Sequence, residues 1–294
     1  MGQTLQDWET IVIGDACRAD TAAVVASFGD PRMSYIDLPV NYGEQSGPNN
    51  IGFARARGRF VAILNHDDLW FPDHLTATTG WADAIGADVV IARGIVVHPE
   101  YESGGGKNEI FGYGKDGRYD PVITKGFGSA QVVRRESLRW LGPWRPASEC
   151  YCESSQDWLF RAWRKGAMMA TLPHVTVLSL PTGARKRSYV EDSALEQEKL
   201  VRSMDAPDAL RAELLASVIE LGAPRPFNYF KRRFLAIAFG VHPRAREFRR
   251  THMPGTYINE LRKFRGLSPI PKRDPSVKEL LDRYSKGSEP PRTS

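Results

Sequence analysis

The chain has 294 residues, 41% of them hydrophobic and 10% aromatic, enough for one large domain or a domain with an appendage. No run approaches the ~20 apolar residues that span a bilayer, and the polar residues 1–9 lack secretory character, so a cytoplasmic protein is expected. The net charge of +5 conceals an asymmetry: residues 1–180 carry 17 Lys/Arg against 21 Asp/Glu, and residues 181–294 carry 23 against 14.

The predicted elements begin with a strand over 9–14, a loop over 15–20 and a helix over 21–28 stopped by Gly29, Asp30 and Pro31. A second strand covers 33–38. A Gly/Asn/Pro-rich loop at 41–49 leads into a small-residue helix over 51–57, closed by Gly58. The strand 59–64 ends at Asn65, His66, Asp67 and Asp68, Pro72 opens a helix that runs to Ile85, and 88–92 is the next strand. From His98 to Gly128 scattered glycines predict a long functional or disordered loop. Order resumes with a strand at 129–133, a segment at 135–141, a helix over 156–165 stopped by Gly166 and a strand at 175–178.

Strands alternating with helices imply an α/β domain over 1–180, with a mainly parallel sheet flanked by helices. A helical, basic extension over 181–268 and a flexible tail over 269–294, with a short helix near 277–284, complete the expected organisation. Residues 222–273 hold 13 basic and 2 acidic side chains. Such a block favours an anionic partner, or else is a solvated helix face. Cys17, Cys150 and Cys152 form neither a C-x-x-C pair nor an even disulfide framework, so reduced thiols are expected.

The chemistry gathers at strand ends. Asp15 closes the first strand, Asp67 and Asp68 close a later one, and Asp157 opens a helix farther on. Strand-end loops of a parallel sheet share one rim, so all four acids could face one crevice. Adjacent carboxylates repel each other. A hard divalent cation relieves that repulsion, and one held by few protein oxygens keeps positions open for phosphate. Each acid also has a plainer reading: a solvated turn at 65–68, a turn cap at Asp15, and a capping box from Ser154 to Asp157.

Several ordered segments over residues 3–180 resemble family 2 glycosyltransferases of the GT-A fold. Residues 3–9 resemble the family's entry to its second strand, and Asp15 to Thr21 its acidic base-contacting loop, with Gly14 where the first acid of a pair is usual. Asn41, Tyr42 and Gly43, then 49–58, follow the family's Asn-rich helix, with Asn49 where Arg is common. Residues 59–75, containing Asp67 and Asp68, are the strongest match. Residues 155–162 resemble the later acidic motif, with Gln156 where Glu is frequent.

The resemblance implies an inverting transferase that moves a sugar from a nucleotide-diphosphate donor to a hydroxyl acceptor. In it Asp68, with Asp67, holds Mn2+ or Mg2+. Asp15, Asp67 and Asn50 contact the donor, and Asp157 is the general base. The implied acceptor is a glycan or lipid-linked glycan in polysaccharide, glycolipid or cell-surface glycan synthesis. Residues 227–234 lead an apolar run that could rest on an anionic membrane surface. His174 is a candidate third metal ligand, and Arg185, Lys186 and Arg187 a candidate diphosphate clamp. Of Trp140, Trp144, Trp158 and Trp163, mostly core, one near Asp157 could stack on a sugar. Family members usually open with a strand ahead of the segment that Gln3 begins. Nothing here corresponds, so this form is expected to be less stable than one extended upstream.

Other classes fit less well. A catalytically inactive, nucleotide-holding scaffold is the main alternative, fed by Gly14. A nucleic-acid binder lacks a recognition motif, and its aromatics are bunched at one end of the basic block. A nicotinamide-dependent dehydrogenase lacks G-x-G-x-x-G after the first strand.

Overall fold

Val89, Val90, Ile91, Ala92 and Ile95 are all fully buried. A strand apolar on both faces belongs in the middle of a covered sheet, and Val89–Val96 (β5) is that strand. The computed structural model describes residues 2–17, 20–98, 108–180, 195–218, 226–243 and 253–270. Before β5 come Thr10–Gly14 (β1), Asp20–Ser27 (α1), Met33–Asp37 (β2), Ser46–Arg55 (α2), Phe60–Ala62 (β3), Leu69–Trp70 (β4) and His74–Ile85 (α3). After it come Glu109–Phe111 (β6), Gln131–Arg134 (β7), Leu138–Leu141 (α4), Ser154–Arg164 (α5), Met169–Ser179 (β8), Leu195–Ser203 (α6), Pro207–Ala216 (α7), Pro226–Phe239 (α8) and Thr256–Phe264 (α9).

The main sheet runs β3-β7-β5-β8-β4, with β6 also on β5. The expectation of a mainly parallel sheet is corrected here. Only β5–β8 is parallel, and β3–β7, β5–β7, β5–β6 and β4–β8 are antiparallel. Parallel pairing needs a crossover connection, whereas β6 and β7 reach β5 through loops that let the chain return in the opposite sense. The alternation of β5 then sorts the helices. Val90 packs with Ala77, Trp81 and Ala82 of α3, while Val89 and Ile91 pack with Trp158, Leu159 and Ala162 of α5. The two helices therefore cover opposite faces.

β1 and β2 form a separate two-stranded parallel sheet. Ile13, Ile36 and Leu38 pack it on Ile51 of α2. The Glu9 carboxylate adds a polar link, accepting from the backbone N–H groups of Arg57 (2.7 Å) and Gly58 (3.2 Å). The N-terminal segment lies along the start of α3, where Thr4 N–H donates to Pro72 O and the Gln3 amide bridges Phe71 O and Leu75 N–H. α2 begins at Ser46, earlier than its composition indicated, because Glu44 accepts from both Ser46 N–H and Ser46 Oγ. Pro48 lies in its first turn, where proline is tolerated.

The basic extension packs on this domain. Leu200 of α6 and Leu210 and Leu214 of α7 share a cluster with Phe71, Ile95, Val175 and Leu178. Among the described residues no helix is long and apolar enough to cross a membrane. The expected helix near 277–284 and residues 271–294 of the tail lie outside the described residues, as do 99–107 of the long loop.

His74 anchors the segment that carries the aspartate pair. It is fully buried, stacks on Trp70 with centroids 4.2 Å apart, and its Nδ1 meets Thr176 Oγ1 at 2.9 Å. Burial pushes its imidazole down to about 3, so it is neutral in the fold. Between that value and the ordinary 6.5 the unfolded chain binds the extra proton. Stability contributed by His74 is therefore present above pH 6.5 and lost as pH falls toward the folded value. The melting temperature is expected to fall over this window, and His74→Asn, which keeps a polar atom toward Thr176, to flatten the fall. Parallel curves for the two proteins would contradict it.

Candidate active site

The turn after β3 is closed by a carboxylate that folding has taken out of water. Asp68 is 5% exposed. Its Oδ2 accepts from Ser129 Oγ (2.5 Å) and Asn65 Nδ2 (3.0 Å), and its Oδ1 from Leu180 N–H (3.1 Å). Burial, then the adjacent Asp67, raises its carboxyl above the ordinary range, while the hydroxyls of Ser129 and Ser179 and the Asn65 amide pull it back. Asp67 beside it is half-buried, and His66 is exposed.

This donor set tests the expected cation. Asn65, Ser129, Ser179 and the Leu180 amide all engage Asp68, and a carboxylate has about four lone-pair sites. Among the described residues no group of three or more His, Cys, Asp or Glu converges to hold a metal. Asp67 and Asp68 offer two adjacent carboxylates, so a hard dication here would draw most of its ligands from phosphate oxygens and water rather than from a protein cage. His174 is not near the pair. It contacts Asp73 at 3.4 Å, and Asp73 also takes Arg211 at 2.7 Å.

Asp15 turns toward the loop after β2. Its carboxylate accepts from the N–H groups of Tyr42 and Gly43, and Asn41 Nδ2 donates to its carbonyl at 2.7 Å. Burial raises its carboxyl; those two amides and the Arg262 guanidinium oppose the rise. The Tyr42 ring is held against Gly47, where any Cβ would stand 2.5 Å from it. At Gly14 a Cβ would stand 2.4 Å from both Asp37 Oδ1 and the Tyr35 hydroxyl. The acid that the resemblance misses at residue 14 thus has a carboxylate beside its place, delivered from β2.

Asp157 lies in the first turn of α5 and is half-buried. Its Oδ2 accepts from Arg161 Nε at 2.8 Å, and Arg145 lies 3.9 Å from Oδ1. Glu153 occupies the N-cap position, without a side-chain cap bond, so the capping-box reading of Ser154 and Asp157 is not what forms. Burial pushes the Cys150 thiol up to about 12, with Asp157 and then Glu44 adding to the rise. The cysteine is an inert wall shared by two carboxylates.

Loop residues join these acids into one rim. Ser129 holds Asp68, and three residues earlier Gly126 O accepts from Gln156 Nε2, next to Asp157, at 2.8 Å. A Cβ at Gly126 would meet Leu159 at 2.6 Å, so the loop lies directly on α5. On the other flank Gln45 donates to Asn65 Oδ1 at 3.2 Å while Glu44 accepts from Ala147 N–H at 3.2 Å. The start of α2 therefore spans from the turn holding Asp68 to the loop preceding Asp157.

Asn50 is committed elsewhere. Its Nδ2 donates to Trp144 O at 3.0 Å and its Oδ1 accepts from Trp144 N–H at 2.8 Å, clamping the 142–146 turn to α2. A donor contact would have to open both bonds. Trp158 is fully buried and donates to Gly142 O, and Trp144 is buried too, so neither presents a face to a sugar. Arg185, Lys186 and Arg187 lie outside the described residues. Two surface hollows, one bordered by Trp81 and Met168 and one by Val25 and Tyr35, do not include the acids.

Sequence reasoning missed four contributors: Ser129, Glu44, the Leu180 amide and Arg262. Arg262 of α9 donates to Gly43 O and, through Nε, to Ser268 O at 2.7 Å. The same helix is tied to the loop before Asp157, where Gly255 N–H meets Cys150 O at 3.0 Å and the Tyr257 hydroxyl lies 3.4 Å from Glu153. Only the excess of basic residues pointed to this part of the chain, and excess charge does not say where a helix docks.

Residues 1–142 match the family described as Glycosyl transferase family 2. Over 82 residues the chain is 43% identical to the succinoglycan biosynthesis protein ExoO of Rhizobium meliloti, covering 28% of this chain and 23% of that protein. Over 73 residues it is 33% identical to the Escherichia coli β-1,3-glucosyltransferase WfgD, covering 25% and 28%. The matches thus span about a quarter of the length of these relatives. Among solved structures, S. aureus TarS 1–349 with UDP superposes with a TM-score of 0.50 at 14% identity, over 98% of this chain and 83% of that one. The longer TarS structure gives 0.51 at 14%, over 97% and 49%. The likeness is one of fold, the GT-A fold.

Removing the Asn50 clamp leaves a backbone N–H and C=O of Trp144 without partners. Asn50→Ala is expected to destabilise the protein by about 1–3 kcal/mol in denaturant titration. An unchanged unfolding midpoint, with weaker nucleotide binding, would instead return Asn50 to the donor.

Proposed function

We propose, from the match of residues 1–142 to glycosyl transferase family 2, that this chain transfers a sugar from a nucleotide-diphosphate donor to a hydroxyl acceptor with inversion at the anomeric carbon. The observation that carries the reading is the loop 126–129, which bonds Asp68 at one end and the residue beside Asp157 at the other. Two acids with opposed tasks share one rim at a separation set by a short, packed loop.

Asp157 is the general base. An acceptor hydroxyl ionises far above neutral pH, so it needs a carboxylate within hydrogen-bond reach as its oxygen attacks. Arg161 fixes the Asp157 carboxylate through Oδ2, and with Arg145 no nearer than 3.9 Å, Oδ1 is the oxygen placed to take the proton. Asp67 and Asp68 would hold Mn2+ or Mg2+, which when bound supplies positive charge toward the departing diphosphate. Asp15, held by Tyr42 and Gly43, and Asp37 beside Gly14 supply carboxylates to the donor loop, and Arg262 adds a cation at its edge. Attack from the Asp157 side, opposite the diphosphate, inverts the centre in one step without a covalent sugar–enzyme intermediate.

The proposed acceptor is a glycan or lipid-linked glycan, met by a cytoplasmic enzyme at the inner membrane surface. The catalytic unit spans residues 1–180, with 181–268 serving acceptor and membrane contact. ExoO is named for succinoglycan synthesis, and WfgD for glucosyl transfer to a diphosphoundecaprenol-linked sugar. Both names support an acceptor of this class.

Asp157→Asn is expected to lower turnover of nucleotide sugar by about 10²–10⁴-fold while nucleotide binding persists. Retained turnover would remove Asp157 from the chemistry, and nucleotide binding without any wild-type turnover would favour the scaffold reading. A second expectation concerns the cation. Manganese or magnesium should raise the melting temperature of the wild type and not of Asp68→Asn, and chelation should reverse it. Equal stabilisation of both proteins would place the ion elsewhere.

A further inference from the structure

The helix α8 is turned inside out. Its inward side holds the polar groups: Asp120, 1% exposed, accepts from the Tyr229 hydroxyl at 2.7 Å and from the Arg233 guanidinium. Ala236 on that side is fully buried. At the far end Arg164 of α5 donates to Ile237 O at 2.5 Å and Ala236 O at 3.4 Å, satisfying carbonyls of the last turn. These two clamps fix the rotation of the helix about its axis.

The rotation leaves an apolar stripe outside. Phe227, Phe230, Phe234 and Ile237 recur at spacings of three and four, on one face, and are 77, 65, 67 and 52% exposed. A surface helix in water normally does the reverse, burying its apolar stripe and exposing its charges. Single exposed apolar residues need no explanation, but a contiguous row marks an interaction surface. Lys231, a turn from both Phe227 and Phe234, is exposed, and so is Arg232. In sequence, the stretch 222–273 that contains α8 carries 13 basic against 2 acidic side chains. A second copy of this chain would bring the exposed Lys231 and Arg232 against their like. An anionic lipid surface complements both halves of the face at once.

We propose that α8 docks in the plane of an anionic bilayer surface, its phenyl rings at the headgroup–acyl boundary and Lys231 and Arg232 among the headgroups. The purpose, though not the binding, rests on the transferase reading. α8 is clamped to Arg164 near the end of α5, and Asp157 lies seven residues earlier on that helix, roughly 10 Å along its axis. Docking therefore holds the base a short, fixed distance from a surface where lipid-linked acceptors lie.

The full chain is to be floated with vesicles of phosphatidylcholine containing phosphatidylglycerol, and with phosphatidylcholine alone. The expected result is binding to the anionic vesicles only. It should weaken by about tenfold or more in the triple variant Phe227→Ser, Phe230→Ser, Phe234→Ser and in the charge reversal Lys231→Glu, Arg232→Glu, each with an unchanged melting temperature. Binding indifferent to the stripe, or equal on the neutral vesicles, overturns the proposal. So does a wild-type dimer in sedimentation velocity that the triple variant abolishes, or a large loss of stability in both variants, which would mean that the chain covers this face itself. No donor enters the assay, so a failure of sugar transfer leaves the vesicle result standing, and the converse also holds.

Discussion

The candidate site depends on a buried carboxylate that is never left alone. Asp68 collects donors from three places in the sequence: Asn65 in its own turn, Ser129 across the sheet, and the backbone of Leu180 where β8 ends. Each is needed, because a charge taken out of water without partners costs several kcal/mol. The carboxylate thereby adds a shared tie point to three loops that strand pairing and the Asn65 N–H bond to Ser129 Oγ already bring together. Trp70 strengthens the tie, its indole N–H donating to Ser129 O at 2.7 Å while its ring stacks on His74. The result is a rigid corner whose remaining imbalance, the negative charge of Asp67 beside Asp68, is of the sign that a bound cation would offset.

Rigidity at this corner passes to the rest of the rim through short links. The loop after β6 is pressed on α5 at Gly126, where even a methyl group would collide with Leu159. Gln156 and Gln131 both donate to the same Gly126 carbonyl. Such shared acceptors define position more closely than van der Waals contact alone, since hydrogen bonds are directional. Asp157 inherits its place from this packing and its orientation from Arg161. On the proposed reading, the fold sets the base and the donor site before any ligand arrives, which is where enzymes obtain much of their advantage.

Much of this was legible in the sequence. Most of the order of strands and helices through residue 180, the strand-end position of the aspartate pair and the helix-opening Asp157 follow from periodicity and turn residues, whereas the short strands β4 and β6 and the first half of β8 do not. Strand direction did not. Alternating elements resemble a parallel sheet, and only the loop connections to β6 and β7 reveal the antiparallel returns. The start of α2 was hidden because its N-cap position, Gln45, makes no side-chain cap bond and Ser46 N–H is instead taken by Glu44 one residue earlier, and because Gly47 and Pro48 read as loop. Asn50 illustrates another limit. A motif places the residue on the right helix, but which way its amide points is decided by Trp144, far away in sequence. Arg262 and the inverted face of α8 are tertiary facts of the same kind.

Gly14 carries one more consequence. With the Tyr35 hydroxyl and Asp37 Oδ1 both 2.4 Å from where its first side-chain atom would sit, residues 14, 35 and 37 can change only in concert. An acid restored at 14 would demand smaller neighbours on β2, and trimming those neighbours alone would leave a hole beside the loop that carries Asp15. If the proposed donor site lies here, these three positions are one coupled unit of variation for nucleotide preference, to be exchanged as a set.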